Sequence, residues 1–270
     1  MISFPNAKIN LGLDVIERRN DGYHNISSCF YPIPLKDILE INLSKAFSFN
    51  KSGLQIPGDE RENLVVKAYK ILKKDFDLPP VSIHLHKNIP MQSGLGGGSS
   101  DGAYTLRMLN GLFELFLDNS VISDYALKLG SDCPFFIYNV PSIITGKGEE
   151  VEEIAFDLNG YIICIVKPDV SISTPNAYQN IQPGNPDYPV STILSDQDMG
   201  NWKEMLKNDF EKVIINIHPE LSELKSRLYR MGALYVSMTG SGSAFYGIFK
   251  DPPSFKGAFP DNYFIWLGNL

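Results

Sequence analysis

The run Pro90-Met91-Gln92-Ser93-Gly94-Leu95-Gly96-Gly97-Gly98-Ser99-Ser100-Asp101 constrains this chain more than any other stretch. Positions 93 to 100 hold four glycines and three serines, after an apolar alternation and before a helical pattern. Glycine lets the main chain come close to a ligand and adopt angles closed to other residues. Backbone N–H groups aimed from such a loop, and from the first turn of the helix behind it, make an anion site. The expectation is a phosphate cradle.

At 270 residues the chain has room for one large domain or two packed lobes. Its 24 basic and 31 acidic residues, net −7, argue against nucleic acid as the main partner. They leave a nucleotide open as a ligand, because one local nest can hold a polyphosphate on an acidic protein. Cys29, Cys133 and Cys164 are far apart, odd in number and without C-x-x-C spacing. They read as buried thiols in a reducing compartment, not as disulfides or a zinc site. The first eight residues lack a basic region leading into an apolar core, and no apolar run reaches bilayer length. A soluble cytoplasmic protein with no membrane partner is expected.

Along the chain, residues 7 to 16 alternate, with Ala7, Ile9, Leu11 and Leu13 on one face and Lys8, Asn10, Gly12 and Asp14 on the other. By itself this reads as an edge strand with Lys8 and Asn10 on its wet face. Asp21-Gly22-Tyr23-His24 is turn chemistry, either a plain surface turn or a loop presenting Tyr23 for stacking and His24 for polar contact with a flat ligand. Residues 37–43, 47–49 and 81–86 read as strands, and 63–72 as a helix with Asn63 as its N-cap. His84 and His86 share a strand face without a carboxylate or cysteine to complete a metal site. Ala103, Leu106, Leu109, Phe113 and Phe116 mark an amphipathic helix behind the glycine run. Its first turn carries Ser99, Ser100 and Asp101, the last complementing the helix dipole.

Gly130 ends a further helix, and Pro134 holds the residue before it away from helical angles. Asp132 is thereby fixed on a short turn between apolar segments, as a turn carboxylate with less solvent than most. Residues 143–151 read as a strand or hairpin, and a boundary near residue 150 divides an N-terminal lobe, 1–150, from a C-terminal lobe, 151–270. In the second half, 161–167 is a strand, 183–201 a loop, and 203–217 and 219–231 are helices. Strands at 234–238 and 244–249 flank a second glycine-and-hydroxyl turn, Thr239-Gly240-Ser241-Gly242-Ser243.

The cradle fits none of the common nucleotide loops. No lysine follows the glycines as a P-loop requires, and position 99 is serine where the dinucleotide fingerprint needs its third glycine. H-R-D and D-F-G runs are absent. What stands resembles the central motif of the small-molecule kinases related to galactokinase, homoserine kinase, mevalonate kinase and phosphomevalonate kinase. Pro5-Asn6-Ala7-Lys8-Ile9-Asn10-Leu11 resembles the first motif of that superfamily, and Thr239-Gly240-Ser241-Gly242-Ser243-Ala244 the third. Asp21-Gly22-Tyr23-His24, Gly130-Ser131-Asp132-Cys133-Pro134-Phe135-Phe136 and Ser173-Thr174-Pro175 resemble one branch of it. That branch phosphorylates a cytidine-diphosphate-linked alcohol in the non-mevalonate isoprenoid route.

The resemblance implies an α+β fold of two lobes, with mixed, largely antiparallel sheets backed by helices and the active site in the cleft between them. It implies ATP as phosphoryl donor and Mg2+ as cofactor, with Ser100 touching the metal. ATP contacts fall on Pro90, Met91, Gln92, Ser93, Gly94, Leu95, Gly96, Gly97, Gly98, Ser99, Ser100 and Asn63. Asp132 would take the proton of the attacking hydroxyl, and Lys8 beside it would keep it ionised and neutralise charge on the transferring group. That partner displaces the edge-strand reading of Lys8. Asn10, Tyr23, His24, Tyr178, Thr239, Gly240, Ser241 and Gly242 would hold the acceptor, with Tyr23 and Tyr178 sandwiching cytosine and His24 bonding its edge. The chain departs from the family pattern at Gln92, Ser93 and Cys133. Residues 250–270 are shorter and more proline-interrupted than the family's closing helix. The competing expectations are a sister kinase with another acceptor, which Tyr23-His24 opposes, and a nucleotide-binding regulator without transfer, which Lys8 and Asp132 oppose.

Overall fold

Residues 6 to 18 make one strand, thirteen residues long and buried on both faces from Asn6 to Asp14. The computed structural model describes every residue except 197 and 256. In chain order the first half comprises β1 (Ile2–Ser3), β2 (Asn6–Arg18), β3 (His24–Lys36), β4 (Ile38–Leu43), β5 (Ser48–Gly53), α1 (Leu64–Phe76), β6 (Val81–Lys87), α2 (Gly97–Leu112), α3 (Asn119–Leu129) and α4 (Phe135–Tyr138). The second half adds β7 (Ser142–Thr145), β8 (Glu150–Glu153), β9 (Ile162–Lys167), α5 (Thr174–Gln179), α6 (Val190–Ser195), α7 (Trp202–Met205), α8 (Asp209–Ile217), α9 (Glu220–Arg230), β10 (Tyr235–Met238), β11 (Phe245–Phe249) and β12 (Phe264–Asn269).

The chain forms two compact units, and it does not visit them one after the other. The first unit is Met1–Ala7, Leu35–Met91 and Gly96–Val140; the second is Lys8–Pro34, Gln92–Leu95 and Pro141–Leu270. A single cut near residue 150 therefore does not separate them.

The first unit holds a four-stranded sheet in the order β1-β4-β6-β5, antiparallel except for the β5–β6 pair. Strand β6 shows why it forms: Val81, Ile83 and Leu85 alternate into the core and are fully buried, while His84 stays exposed. His84 and His86 both meet the Ser52 hydroxyl of the neighbouring strand, at 2.8 and 2.9 Å. Asn63 caps α1, its side chain accepting from the Val65 N–H at 2.9 Å. Helix α1 buries Val65, Val66, Ala68, Tyr69 and Leu72, and α2 buries Ala103, Leu106 and Leu109, where the two helices meet.

The second unit carries an antiparallel sheet in the order β10-β11-β9-β12 and a second one in the order β2-β3-β7-β8. β2 stands at the margin of its sheet, where unpaired backbone groups would be a liability. Loops cover that margin. The Lys8 N–H donates to the Leu95 carbonyl at 2.9 Å, Leu13 N–H to the Lys207 carbonyl at 2.8 Å, and Gly184 N–H to the Val15 carbonyl at 2.9 Å. The edge-strand reading was right about the margin and wrong about the water, since Lys8 and Asn10 are 2% and 1% exposed.

Several other expectations change. Phe116, placed on the core face of α2 by its spacing, lies outside the helix and is 84% exposed. Asn110 ends that helix early, holding the Leu117 carbonyl and N–H with its amide at 3.1 and 3.0 Å. The helix expected over 203–217 breaks at 206–208. There the Asn208 side chain caps α8 through the Phe210 N–H and gives its own N–H groups to the Met238 and Gly240 carbonyls. The loop expected over 183–201, which includes undescribed residue 197, contains α6, with Val190, Ile193 and Leu194 buried. The proline-interrupted end, which includes undescribed residue 256, supplies β12 where a closing helix was the family's pattern, and β12 pairs along β9. All three cysteines are buried and free. Among the described residues, no helix is long and apolar enough to cross a membrane.

Candidate active site

The glycine run turns through left-handed backbone at Gln92, Gly94 and Gly96, with φ of 50°, 77° and 71°, before α2 begins at Gly97. Gly96 occupies the N-cap position and offers no side chain to the first N–H groups of the helix. No acidic residue stands in that first turn. The Ser100 N–H closes it on the Gly96 carbonyl at 2.9 Å. The N–H groups of Gly97, Gly98 and Ser99 precede the first intrahelical bond and carry the positive end of the helix dipole. A Cβ built on Gly98 would meet nothing within 4 Å. The Ser100 hydroxyl is buried and has no hydrogen-bond partner. An unpartnered hydroxyl beside the first N–H groups of a helix suits a phosphate and its hard cation.

Next to this turn, in the same unit, lies a pocket of about 220 Å³ lined by Phe49, Asn63, Leu64, Lys87, Met91, Gly98 and Asp101 among others. Asp101 is not in the first turn and does not serve the dipole. It is 2% exposed, and Lys87 Nζ donates to it at 2.7 Å and to Asp37 at 2.5 Å. Burial pushes the Asp101 carboxyl up and the Asp37 charge adds to this, while the Lys87 ammonium opposes both. Burial alone would lower Lys87, but its two carboxylates outweigh that and hold it above the usual lysine range.

In the second unit a buried polar cluster centres on Asn10. Its Oδ1 accepts from Lys8 Nζ at 2.5 Å and from the Gly240 N–H at 2.8 Å. The single Thr239 hydroxyl proton has two acceptors at 3.1 Å, that same oxygen and the Gly94 carbonyl. Asn10 Nδ2 donates to the Ser28 hydroxyl at 2.9 Å, and Ser28 donates in turn to the Gly12 carbonyl at 2.6 Å. The Tyr246 hydroxyl holds the Asn10 carbonyl at 2.7 Å. Lys8 is thus fixed within a buried network, with its ammonium 4.3 Å above the Phe30 ring. Gly94 must be glycine here, because a Cβ would stand 1.9 Å from the Thr239 carbonyl oxygen.

The aromatic residues are arranged differently from a Tyr23–Tyr178 sandwich. His24 stacks on Tyr178, with ring centroids 5.0 Å apart and planes at 23°. Tyr178 also meets Phe210 edge-on at 4.7 Å. Tyr23 is 59% exposed, with Lys147 Nζ 5.1 Å from its ring centroid. Burial, and then the Arg18 charge, hold His24 below the ordinary histidine range, so its ring is neutral near pH 7 and can both donate and accept. The Thr174 and Ser241 hydroxyls bond each other at 2.9 Å. Asp132 is half-buried on the turn between α3 and α4.

Residues 63–140 match the family described as GHMP kinases N terminal domain, and residues 192–259 match GHMP kinases C terminal. A protein of Bacteroides thetaiotaomicron named 4-diphosphocytidyl-2-C-methyl-D-erythritol kinase is 47% identical over 279 residues, covering 100% of both chains. A Parabacteroides distasonis protein of the same name is 44% identical, again with 100% of both chains covered. This chain belongs to the 4-diphosphocytidyl-2-C-methyl-D-erythritol kinase family. A crystal structure titled 4-(cytidine 5'-diphospho)-2C-methyl-D-erythritol kinase superposes with a TM-score of 0.79 at 34% identity, covering 92% of this chain and 90% of that one. The protein is a small-molecule kinase with the α+β fold of its family.

As in other members of the 4-diphosphocytidyl-2-C-methyl-D-erythritol kinase family, the motifs are spread along the chain, and their residues fall in both units. Lys8, Asn10, Gly94, Thr239 and Gly240 come together in the second unit, so the first motif, the start of the glycine run and the third motif share one hydrogen-bond network. Gly96 to Ser100, Met91 and Asn63 belong to the first unit. Four participants escaped the sequence reading. Ser28, Asn208 and Tyr246 carry no local signal, since their partners lie far along the chain. Lys87 did carry one: strict alternation places it on the same face as Val81, Ile83 and Leu85, where a lysine needs a buried partner.

Proposed function

We propose that this chain transfers the γ-phosphoryl of ATP to the 2-hydroxyl of 4-diphosphocytidyl-2-C-methyl-D-erythritol, a step of the non-mevalonate isoprenoid route. The reading is carried by likeness along the whole chain to kinases named for that acceptor. The geometry supports it. Phosphoryl transfer asks for positioning and charge neutralisation more than covalent help. The N–H groups of Gly97, Gly98 and Ser99 hold the donor phosphates, and the pocket beside Asn63 and Leu64 receives the base. Among the described residues, no group of three or more His, Cys, Asp or Glu side chains could hold a metal by itself. Mg2+ suits that setting, because it keeps several waters and binds largely through phosphate oxygens. The unpartnered Ser100 hydroxyl would be the protein contact, and the ion would supply charge neutralisation at the phosphates.

Asp132 orients the attacking hydroxyl and accepts its proton as the O–P bond forms and ADP leaves. Lys8 neutralises charge on the transferring group. Asn10, its Oδ1 committed to three protein donors, serves by holding Lys8 and the third motif in place. Tyr23 stacks on cytosine, worth about 1–3 kcal/mol for a base on an aromatic ring. His24, neutral and backed by Tyr178, reads the base edge. A coupled ADP-release assay tests the proposal with the cytidine acceptor, mevalonate, homoserine and a hexose in parallel. Turnover is expected with the first alone; equal turnover with any other refutes the assignment.

A further inference from the structure

The glycine run has two stems, residues 87–89 before it and 97–101 after it, and one buried ionic group touches both. Asp37 Oδ1 accepts from the Asn88 N–H at 2.6 Å and the Ile89 N–H at 2.8 Å, while its Oδ2 accepts from Lys87 Nζ at 2.5 Å. Lys87 Nζ reaches Asp101 on α2 at 2.7 Å. Packing repeats the connection, for a Cβ on Gly97 would stand 2.8 Å from the Ile89 side chain and 3.0 Å from Lys87 Nζ. The three charged side chains are at most 3% exposed. We propose that the Asp37–Lys87–Asp101 triad is a positioning device for the phosphate donor, clamping both stems so that the first N–H groups of α2 are aimed at it.

Stability alone is a poor reason for such a triad. Buried ion pairs can often be replaced by apolar side chains of similar volume without loss, because desolvation offsets their attraction. The residues two positions along from Asp37 and on either side of Lys87, namely Leu39, Leu85 and Ile89, are all fully buried, so apolar packing was available. The triad also holds two carboxylates to one ammonium and leaves Asp101 Oδ1 without a hydrogen-bond partner. What the ions add over apolar contact is direction. Lys87 fixes β6 to α2 at one atom, and Asp37 fixes the two peptide N–H groups that follow. Lys87 and Asp101 also line the pocket that opens beside Gly98. They act through the loop and are positioning residues.

The inference rests on the reading of residues 90–100 as the phosphate loop. Its test uses the full chain and varies ATP and the cytidine acceptor separately in the ADP-release assay. Asp101→Asn keeps an oxygen for Lys87 and removes the charge; the KM for ATP is expected to rise about threefold to tenfold, with the acceptor KM within about twofold. Asp101→Leu removes the contact and should raise the ATP KM by about a further tenfold, again sparing the acceptor. Thermal midpoints measured alongside separate the clamp from mere stability. An unchanged ATP KM in Asp101→Asn overturns the proposal, as does a parallel rise of both KM values with a falling midpoint. If the wild-type protein transfers nothing to the cytidine acceptor, the functional reading fails by itself. The clamp is then judged by ATP-induced stabilisation, expected in wild type, weaker in Asp101→Asn, and refuted by equal shifts.

Discussion

Gly94→Ala is a one-methyl test of how the motifs are held together. The new Cβ would stand 1.9 Å from the Thr239 carbonyl oxygen and 2.7 Å from its carbon, and both are backbone atoms. Contact has to open by about 1 Å before the methyl fits at all. The turn cannot yield easily, because Asn208 holds the Met238 and Gly240 carbonyls at 2.8 and 2.9 Å and Asn10 holds the Gly240 N–H. Moving Gly94 instead breaks the Thr239 hydroxyl bond to its carbonyl and the Ala244 N–H bond to the Ser93 carbonyl. Each such bond is worth about 0.5–1.5 kcal/mol, and a left-handed φ costs an L-residue about 1–2 kcal/mol more. The sum is roughly 2–5 kcal/mol, read as a fall of about 2–4 °C per kcal/mol in thermal midpoint. Turnover should fall about a hundredfold, the usual cost of misplacing a positioning element by 1 Å. Gly98→Ala is the control, because its Cβ enters open space on a helix that prefers alanine by about 0.5–1 kcal/mol. It should leave the midpoint unchanged or slightly raised and, on the phosphate-loop reading, weaken ATP binding. A Gly94→Ala protein with wild-type midpoint and turnover would refute the reasoning.

Asp132→Asn and Lys8→Ala should each lower kcat by about a thousandfold or more while ATP still stabilises the protein; near-normal turnover in either removes its role. Tyr23→Ala should raise the acceptor KM by about tenfold and leave the ATP KM unchanged, and equal losses would exclude stacking. The Asp14 carboxyl is pushed up to about 7 by burial and then by the Asp209 charge. A carboxyl raised in the folded state favours folding below pH about 4 and loses that contribution as pH rises towards 7. Asp14→Asn should therefore flatten the decline of thermal midpoint across that window, and an identical decline in both proteins would show that Asp14 is not its source.

Sequence patterns gave away what local chemistry decides. The alternation in β2 and β6, the Asn63 cap and the glycine run leading into α2 were all readable, since each depends on neighbours within a few residues. The motifs named the family because they are spaced along the whole chain in order. Burial of Lys8 and Asn10 was not readable from β2 alone, because their partners include Leu95 and Thr239, far along the chain. The same holds for the break at 206–208. Helical periodicity runs through it, but Asn208 bonds to the turn at 238–240 and overrides the local preference. Asp101 shows the limit most clearly: the sequence offers a helix-start acid, and a lysine fourteen residues earlier turns it into part of a buried triad.

The interleaving of the two compact units has a consequence for how the protein is made. Residues 8–34 are made well before most of their companions in the second unit, 92–95 and 141–270. Strand β2 cannot complete its margin until residues 184 and 207 exist. The first unit, by contrast, has every one of its residues by Val140. Contacts of such long sequence separation form slowly, and the open margin of β2 is exposed to wrong partners in the meantime. The lysine motif is made early and housed late.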